Sequence, residues 1–126
     1  MQWLAVALGG ALGAMGRFAF TTWLFPVLGP KFPLGTLVAN LVGCFLIGLV
    51  YVLIVERGLL APEFRPLVMT GFLGALTTFS TFSLDALLLW ENGYPTMAVV
   101  YGLLTLVGCL LAVVAAVYLA RVALAV

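Results

Sequence analysis

The chain has 126 residues, a net charge of +1 and no histidine, and only 7% of its residues are charged. Soluble domains carry about 25% charged residues, so this composition excludes a soluble fold and predicts a membrane protein. Without histidine we expect neither a zinc site nor histidine-based acid/base catalysis. The sequence contains no basic run, which argues against a nucleic-acid partner.

Four apolar runs are long enough to cross a bilayer, which takes about 20 residues of helix. They cover residues 2–26, 34–55, 66–91 and 95–124, and loops rich in proline, glycine or charge separate them at 25–35, 56–66 and 91–95. The first run could pass for a signal peptide, but it lacks a basic start and its apolar pattern continues past Arg17. We therefore predict one all-α membrane domain over 1–126 with four transmembrane helices, the first of them retained.

The first run combines small residues with one charge. Gly9 and Gly13 form a GxxxG pair, a spacing that lets helices approach each other closely in lipid. Arg17 lies well inside the run. Such an arginine either extends its head group to the interface or serves function or assembly with a partner at depth.

The second run contains Asn40 within "GTLVANLVGCF". Its amide offers both N–H donors and an acceptor. This residue predicts either a helix-to-helix hydrogen bond, worth about 0.6–2 kcal/mol in membranes, or a donor that faces an anion. Cys44 and Tyr51 follow at four and eleven residues, so both share roughly the face of Asn40.

The third run contains "TTFSTFS" (77–83), where hydroxyl residues and phenylalanines follow one another. On a helix Phe79 and Phe82 share one stripe. The positive edges of their rings can face a small anion weakly, although most membrane phenylalanines simply pack. A neighbouring stripe holds three hydroxyl residues: Thr77, Ser80 and Ser83.

A row of polar and aromatic residues does not favour an uninterrupted helix, and Gly71 and Gly74 loosen the backbone just before it. We therefore predict a local break in the third helix. A break frees N–H and C=O groups at membrane depth, which is tolerated only where the backbone is buried in protein or lines a cavity. Such breaks mark ion sites.

The fourth run carries Tyr101, Thr105 and Cys109 at intervals of four residues. On a helix they form one stripe of hydroxyl and thiol groups. A single threonine usually bonds to its own backbone, but three such residues in line favour a shared polar path. Both cysteines of the chain, Cys44 and Cys109, lie in apolar runs and are interpreted as free thiols.

The charge distribution leaves the orientation in the membrane open. With four spans, both termini lie on the same side as the 56–66 loop, and Lys31 lies on the other side, joined by Arg17 if it reaches that way. This weak bias fits either a single orientation or a dual topology in which the chain pairs with an inverted copy. The side of the termini carries three arginines: Arg57, Arg65 and Arg121.

Two segments resemble the signatures of the Fluc-type fluoride ion channels of bacteria: "GTLVANLVG" (35–43) and "GFLGALTTFSTFS" (71–83). The resemblance covers essentially the whole chain, including "GRF" in the first run and the Tyr-x3-Thr-x3-Cys stripe of the last. It implies a passive, fluoride-selective anion channel that lowers cytoplasmic fluoride, and not an enzyme. The expected location is the bacterial plasma (inner) membrane.

The resemblance also implies an antiparallel, dual-topology homodimer with two pores in the lipid bilayer. Broken third helices would cross at its centre, where the backbone carbonyls of Gly74 and Thr77 hold a structural sodium ion, Na+. Phe79 and Phe82 would line the fluoride path, and Asn40 would supply its amide. The other path residues that it implies are Arg17, Ser80, Thr81, Ser83, Asp85, Tyr101, Thr105 and Cys109.

Two positions depart from the family pattern. Asp85 stands where relatives often have the longer glutamate, and Cys109 stands where they often have a hydroxyl residue. Both residues keep some polarity, but a thiol is a weak donor. The end of the polar track is therefore the part of the path that the resemblance defines least.

Three other functions fit the residues less well. A proton-coupled drug exporter of the small four-helix kind needs a carboxylate in the first helix, where this chain has Arg17 and no acid. A non-transporting assembly subunit would not need two polar stripes and a broken helix. An enzyme is disfavoured because Asp85 is the only acid well inside a span and has no obvious base partner.

Overall fold

The computed structural model describes residues 1–25 and 32–125. Residues 26–31, which include Lys31 and most of the predicted loop 25–35, lie outside the described residues, as does residue 126. Five helices account for most of the described chain. They are α1 (Gln2–Ala19, continued by π-helical turns over Phe20–Leu24), α2 (Leu34–Tyr51, continued likewise over Val52–Glu56), α3 (π-helical over Pro66–Leu73, then Gly74–Leu76), α4 (Phe79–Glu91) and α5 (Pro95–Ala123).

The helices make four apolar stretches that are long enough to cross a membrane, beginning at residues 2, 34, 66 and 95. The chain is therefore an all-helical, multi-pass membrane protein, as its composition predicts. The stretches starting at residues 34 and 95 are more apolar than the other two. The third stretch comprises both α3 and α4, and most of its polar residues lie on α4 or just before it.

Helices α1 and α3 touch through glycine. A Cβ added at Gly9 would collide with the carbonyl oxygen of Leu67, and one added at Gly13 would collide with that of Phe72. From the other side, a Cβ at Gly71 would lie 2.8 Å from the carbonyl oxygen of Val6. The predicted close approach at the GxxxG pair is therefore present, and it packs α1 tightly against α3, the first part of the third stretch.

Helices α2 and α5 pack side by side and run in the same direction. A Cβ at Gly48 would lie 2.8 Å from both the Cβ of Ala116 and the carbonyl oxygen of Val113. Further along, Arg121 donates through Nε to the Glu56 carboxylate at 3.0 Å, and these two residues are 65 positions apart. Gly48 and Val113 are separated by the same number of residues as Glu56 and Arg121. The separation between facing residues stays constant only when two helices are parallel.

Candidate functional site

The site is built around two extended residues that separate α3 from α4. Thr77 has φ −85° and ψ 156°, and Thr78 has φ −153° and ψ 126°. The Thr78 hydroxyl accepts a hydrogen bond from the N–H of Thr81 at 3.2 Å and so caps the start of α4. The Thr77 hydroxyl instead donates back to the carbonyl of Leu73 at 3.0 Å. Thr77 thus bonds back to α3, which ends there, and Thr78 caps the start of α4.

The amide of Asn40 holds this extended segment against α2. Its Nδ2 donates to the carbonyl of Thr78 at 3.0 Å, and its Oδ1 accepts from the N–H of Thr78 at 2.7 Å. The extended segment comes this close to α2 because residue 43 is glycine, where any Cβ would collide with the Thr77 methyl group. Asn40 is only 5% exposed and keeps one further N–H of its amide for another acceptor.

Arg17 makes a similar side-chain bond to the main chain just before the extended segment. Its Nε donates to the carbonyl of Ala75, in the last turn of α3, at 2.9 Å. The same guanidinium lines a cavity of about 470 Å³ together with Thr81 and Asp85. The charge therefore lies at the junction of α3 and α4 and is bonded to the protein. This contact favours a role in function or assembly over an arginine that extends its head group to the membrane interface.

The carbonyls of Gly74 and Thr77 are suited to bind a hard cation. In an uninterrupted helix the N–H groups of Thr78 and Thr81 would close onto these two oxygens. Here the first donates to Asn40 and the second to the Thr78 hydroxyl. Gly74 is also exposed, so its backbone is open to approach by a second chain or an ion. Oxygen donors of this kind fit the chemistry of sodium.

A second cavity, of about 430 Å³, adjoins the extended segment. Among the described residues, the side chains that line it are all neutral. The Thr105 hydroxyl is the one buried side-chain oxygen or nitrogen without a hydrogen-bond partner in the described chain, and Thr105 is only 5% exposed. The polar and aromatic lining residues are Asn40, Cys44, Thr77, Thr78, Phe79, Phe82, Thr105 and Cys109.

The two phenylalanines occupy different environments. Their rings meet edge to face, with centroids 5.4 Å apart and an interplanar angle of 64°. Phe82 is 7% exposed and also packs on Tyr101, whereas Phe79 is 70% exposed in the single chain. Phe82 is therefore part of the core as well as of the cavity wall, and Phe79 presents its ring outward.

The remaining predicted path residues lie around this cavity rather than in it. Tyr101 is fully buried and donates its hydroxyl to Asp85 at 3.1 Å. Ser83 is exposed and donates to the carbonyl of Phe79 at 2.9 Å, and the exposed Ser80 hydroxyl lies 3.3 Å from that of Thr78. Local bonds therefore satisfy both serines, while the Tyr101 and Asp85 pair joins α5 to α4.

Sequence reasoning missed Thr36, which completes a second polar stripe. Thr36, Asn40 and Cys44 recur every four residues on α2, opposite Tyr101, Thr105 and Cys109 on α5. Each facing pair has the same separation as Glu56 and Arg121. Thr36 is buried beside Asp85 and Tyr101. We call the three pairs the polar ladder. The four-residue spacing between Thr36 and Asn40 is the feature of the sequence that could have identified Thr36.

Comparison with known proteins identifies the family. Residues 4–117 match the family described as CrcB-like protein, Camphor Resistance (CrcB). The chain belongs to the CrcB-like family. Proteins named fluoride-specific ion channel FluC from Saccharophagus degradans and Hahella chejuensis are each 50% identical to it, over 93% and 94% of this chain and 87% and 94% of their own lengths. These relatives of the CrcB-like chain are ion channels, not enzymes.

In this CrcB-like chain the predicted site residues form two neighbouring groups. Arg17, Thr81 and Asp85 line the larger cavity. A second group lines the smaller, neutral one: Asn40, Gly74, Thr77, Phe79, Phe82, Thr105 and Cys109. Both extended residues before α4, Thr77 and Thr78, belong to the lining of the neutral cavity. Ser80, Ser83 and Tyr101 lie outside both sets of lining residues.

Proposed function

We propose that this chain is a passive, fluoride-selective ion channel that lowers cytoplasmic fluoride from the plasma (inner) membrane of a bacterium. The relatives of similar length that are named fluoride-specific ion channels support this function. Four apolar stretches supply the membrane domain. The neutral cavity beside the extended segment is the observation in the molecule on which the proposal rests.

The cavity offers weak donors in place of fixed charge. Three kinds of group can face a small anion: the Thr105 hydroxyl, which has no partner in the part of the chain that the structure describes, the remaining N–H of Asn40, and the edges of Phe79 and Phe82. Together they replace part of the water around fluoride, but none holds it as tightly as a lysine would. Conduction needs this balance, because an ion must both enter a site and leave it.

The groups that line the larger cavity would attract and contact the ion before it reaches the neutral cavity. The guanidinium of Arg17 attracts anions to the junction of α3 and α4. The Tyr101 hydroxyl is bonded to Asp85, which keeps the carboxylate turned toward α5. Ser80, Thr81 and Ser83 add hydroxyl groups along the same part of α4. Cys109 extends the lining of the neutral cavity along α5.

The proposed assembly is an antiparallel, dual-topology homodimer with two pores, in which the third span acts as a broken helix that crosses its partner at the two-fold axis. The exposure of Gly74 and Phe79 supports a contact there. The carbonyls of Gly74 and Thr77 from both chains would hold one sodium ion. That ion would tie the two breaks together and place positive charge near the anion path.

Purified protein in liposomes tests the function directly. Vesicles loaded with potassium fluoride and treated with valinomycin should release fluoride, as followed with a fluoride electrode. Vesicles loaded with potassium chloride should release far less chloride. A folded, dimeric protein that releases no fluoride would contradict the proposal.

A further inference from the structure

Two thiols, those of Cys44 and Cys109, form the last of the three facing pairs of the polar ladder. Cys44 on α2 and Cys109 on α5 are both free, both line the neutral cavity, and they have the same separation along the chain as Gly48 and Val113, which lie in contact. The close contact of Gly48 with Val113, one turn further along both helices, holds the two backbones together at this level. The thiols are therefore paired by the packing of two parallel helices.

The pair opens onto the neutral cavity and is not sealed in apolar packing. Both cysteines line that cavity and both remain partly exposed. The buried Thr105 hydroxyl lies one turn before Cys109 in the same lining and has no hydrogen-bond partner within residues 1–25 and 32–125. A polar group that the protein itself leaves unsatisfied indicates that water or a ligand occupies this space.

We propose that Cys44 and Cys109 form a two-thiolate binding site for a soft metal cation such as Hg²⁺. Sulfur ligands select soft metals, and two facing thiolates suit a cation that accepts two ligands in line. In the reaction both S–H bonds break, two metal–sulfur bonds form, two protons pass to water and the cation releases the two chloride or water ligands that it held. No electron is transferred, so the step needs no oxidant or reductant.

Occupation of this site has two consequences. The metal joins α2 to α5, which stabilises the folded chain by mass action. It also places a heavy cation and its ligands in the wall of the cavity beside Thr105. The second consequence, block of anion flux, rests on the proposed channel function, whereas metal binding itself does not.

Mercuric chloride added to the full, freshly reduced and desalted protein tests the binding. We expect one Hg²⁺ per chain by intact mass, two protons released, and both thiols protected from N-ethylmaleimide. Methylmercury, which offers one coordination position, should instead add at each thiol separately. Two Hg²⁺ per chain, or unprotected thiols, would overturn the proposal.

Serine variants provide the matched control, because serine keeps the size of cysteine and removes the soft ligand. In Cys44→Ser and in Cys109→Ser, excess glutathione should strip Hg²⁺ that the natural chain retains. The metal should raise Tm by several degrees in the natural chain and leave Tm unchanged in either variant. Equal retention of Hg²⁺ by a single variant and the natural chain would contradict a shared site.

Fluoride efflux supplies an independent arm, in which each protein is compared with its own untreated rate. Hg²⁺ should reduce efflux through the natural chain to background and leave most of the efflux through Cys44→Ser. Unchanged efflux with one bound Hg²⁺ per chain would contradict the block and retain the binding site. Absence of efflux before metal is added would count against the proposed function instead.

Discussion

Asn40 gives the backbone of Thr78 both hydrogen bonds that a helix would otherwise provide. It accepts from the N–H of that residue at 2.7 Å and donates to its carbonyl at 3.0 Å. One buried side chain thus replaces two main-chain partners where α3 stops and α4 has not begun. The same amide lines the neutral cavity, so a change at this position tests structure and conduction together.

Asn40→Asp keeps the size of the side chain but turns its donor into a second, charged acceptor. We expect stability to fall by about 1–3 kcal/mol, because the Thr78 carbonyl loses its partner. Fluoride efflux should fall roughly tenfold or more, since a hydrogen bond to a charged group is worth about 1.5–3 kcal/mol. Thermal unfolding in detergent and the electrode assay measure the two effects.

The matched control is Asn92→Asp. Asn92 is exposed after α4 and donates to the carbonyl of Leu88 at 2.7 Å, outside both cavities. It should leave efflux unchanged. Equal loss of efflux in both variants would point to a general effect of added negative charge and against the role of Asn40.

Thr105→Val removes a buried hydroxyl that has no hydrogen-bond partner among the described residues. The substitution conserves volume and relieves an unsatisfied group, so we expect stability to stay level or to rise by about 1 kcal/mol. Efflux should nevertheless fall, because the ion loses a donor. Thr96→Val, at an exposed position near the start of α5, should change neither quantity. A Thr105→Val protein with full efflux would exclude this hydroxyl from the path.

Phe79→Ile and Phe82→Ile separate conduction from packing. Phe82 is buried against Tyr101, so its replacement should cost about 1–3 kcal/mol of stability as well as most of the efflux. Phe79 is largely exposed in the single chain, so its replacement should reduce efflux with little effect on the fold of that chain. Phe64→Ile, at an exposed position two residues before α3, is the control. Losses of efflux that merely track the losses of stability would support packing alone.

Gly48→Ala tests the contact that sets α2 against α5. Its new Cβ would lie 2.8 Å from two atoms of α5, so we expect a loss of about 1–3 kcal/mol and a lower Tm. Gly102→Ala makes the same change where no atom lies within 4 Å, and it should be neutral or stabilising by up to about 1 kcal/mol. Similar Tm values for the two variants would show that α2 and α5 are not packed this closely.

Dual topology predicts that a tag at either terminus is labelled from both sides of the membrane in the same cells. Arg57, Arg65 and Arg121 are the side chains that would otherwise bias insertion. Adding three lysines to the 56–66 loop should shift the labelling to one side and reduce efflux from cells. Labelling of the unaltered chain from one side only would contradict the antiparallel dimer.

The sequence was sufficient for the membrane-spanning stretches and insufficient for their arrangement. Hydropathy located the starts of the four stretches, because crossing lipid constrains length and composition directly. Four-residue spacing placed Tyr101, Thr105 and Cys109 on one face of a helix. It could not show that α2 lies beside α5 in parallel, since spacing within a helix carries no information about its neighbour.

The sequence likewise could not predict which main-chain groups the polar side chains would bond to. For Asn40 the sequence offered a helix-to-helix bond or an anion, and the structure shows bonds to the backbone of Thr78. For Arg17 the partner is the carbonyl of Ala75. Every residue carries a carbonyl and nearly every one an N–H, so no residue type marks which of these groups will be released from a helix.

The constant separation between α2 and α5 determines which changes in length the chain can absorb. Residues added to the loops between these helices would alter the separation by the same amount for every rung, so the facing pairs would stay in place. One residue inserted inside α5, between Tyr101 and Cys109, would rotate everything beyond it by about 100°. Cys109 would then leave Cys44, and Arg121 would leave Glu56. Length variation is therefore expected in the loops and forbidden along the ladder.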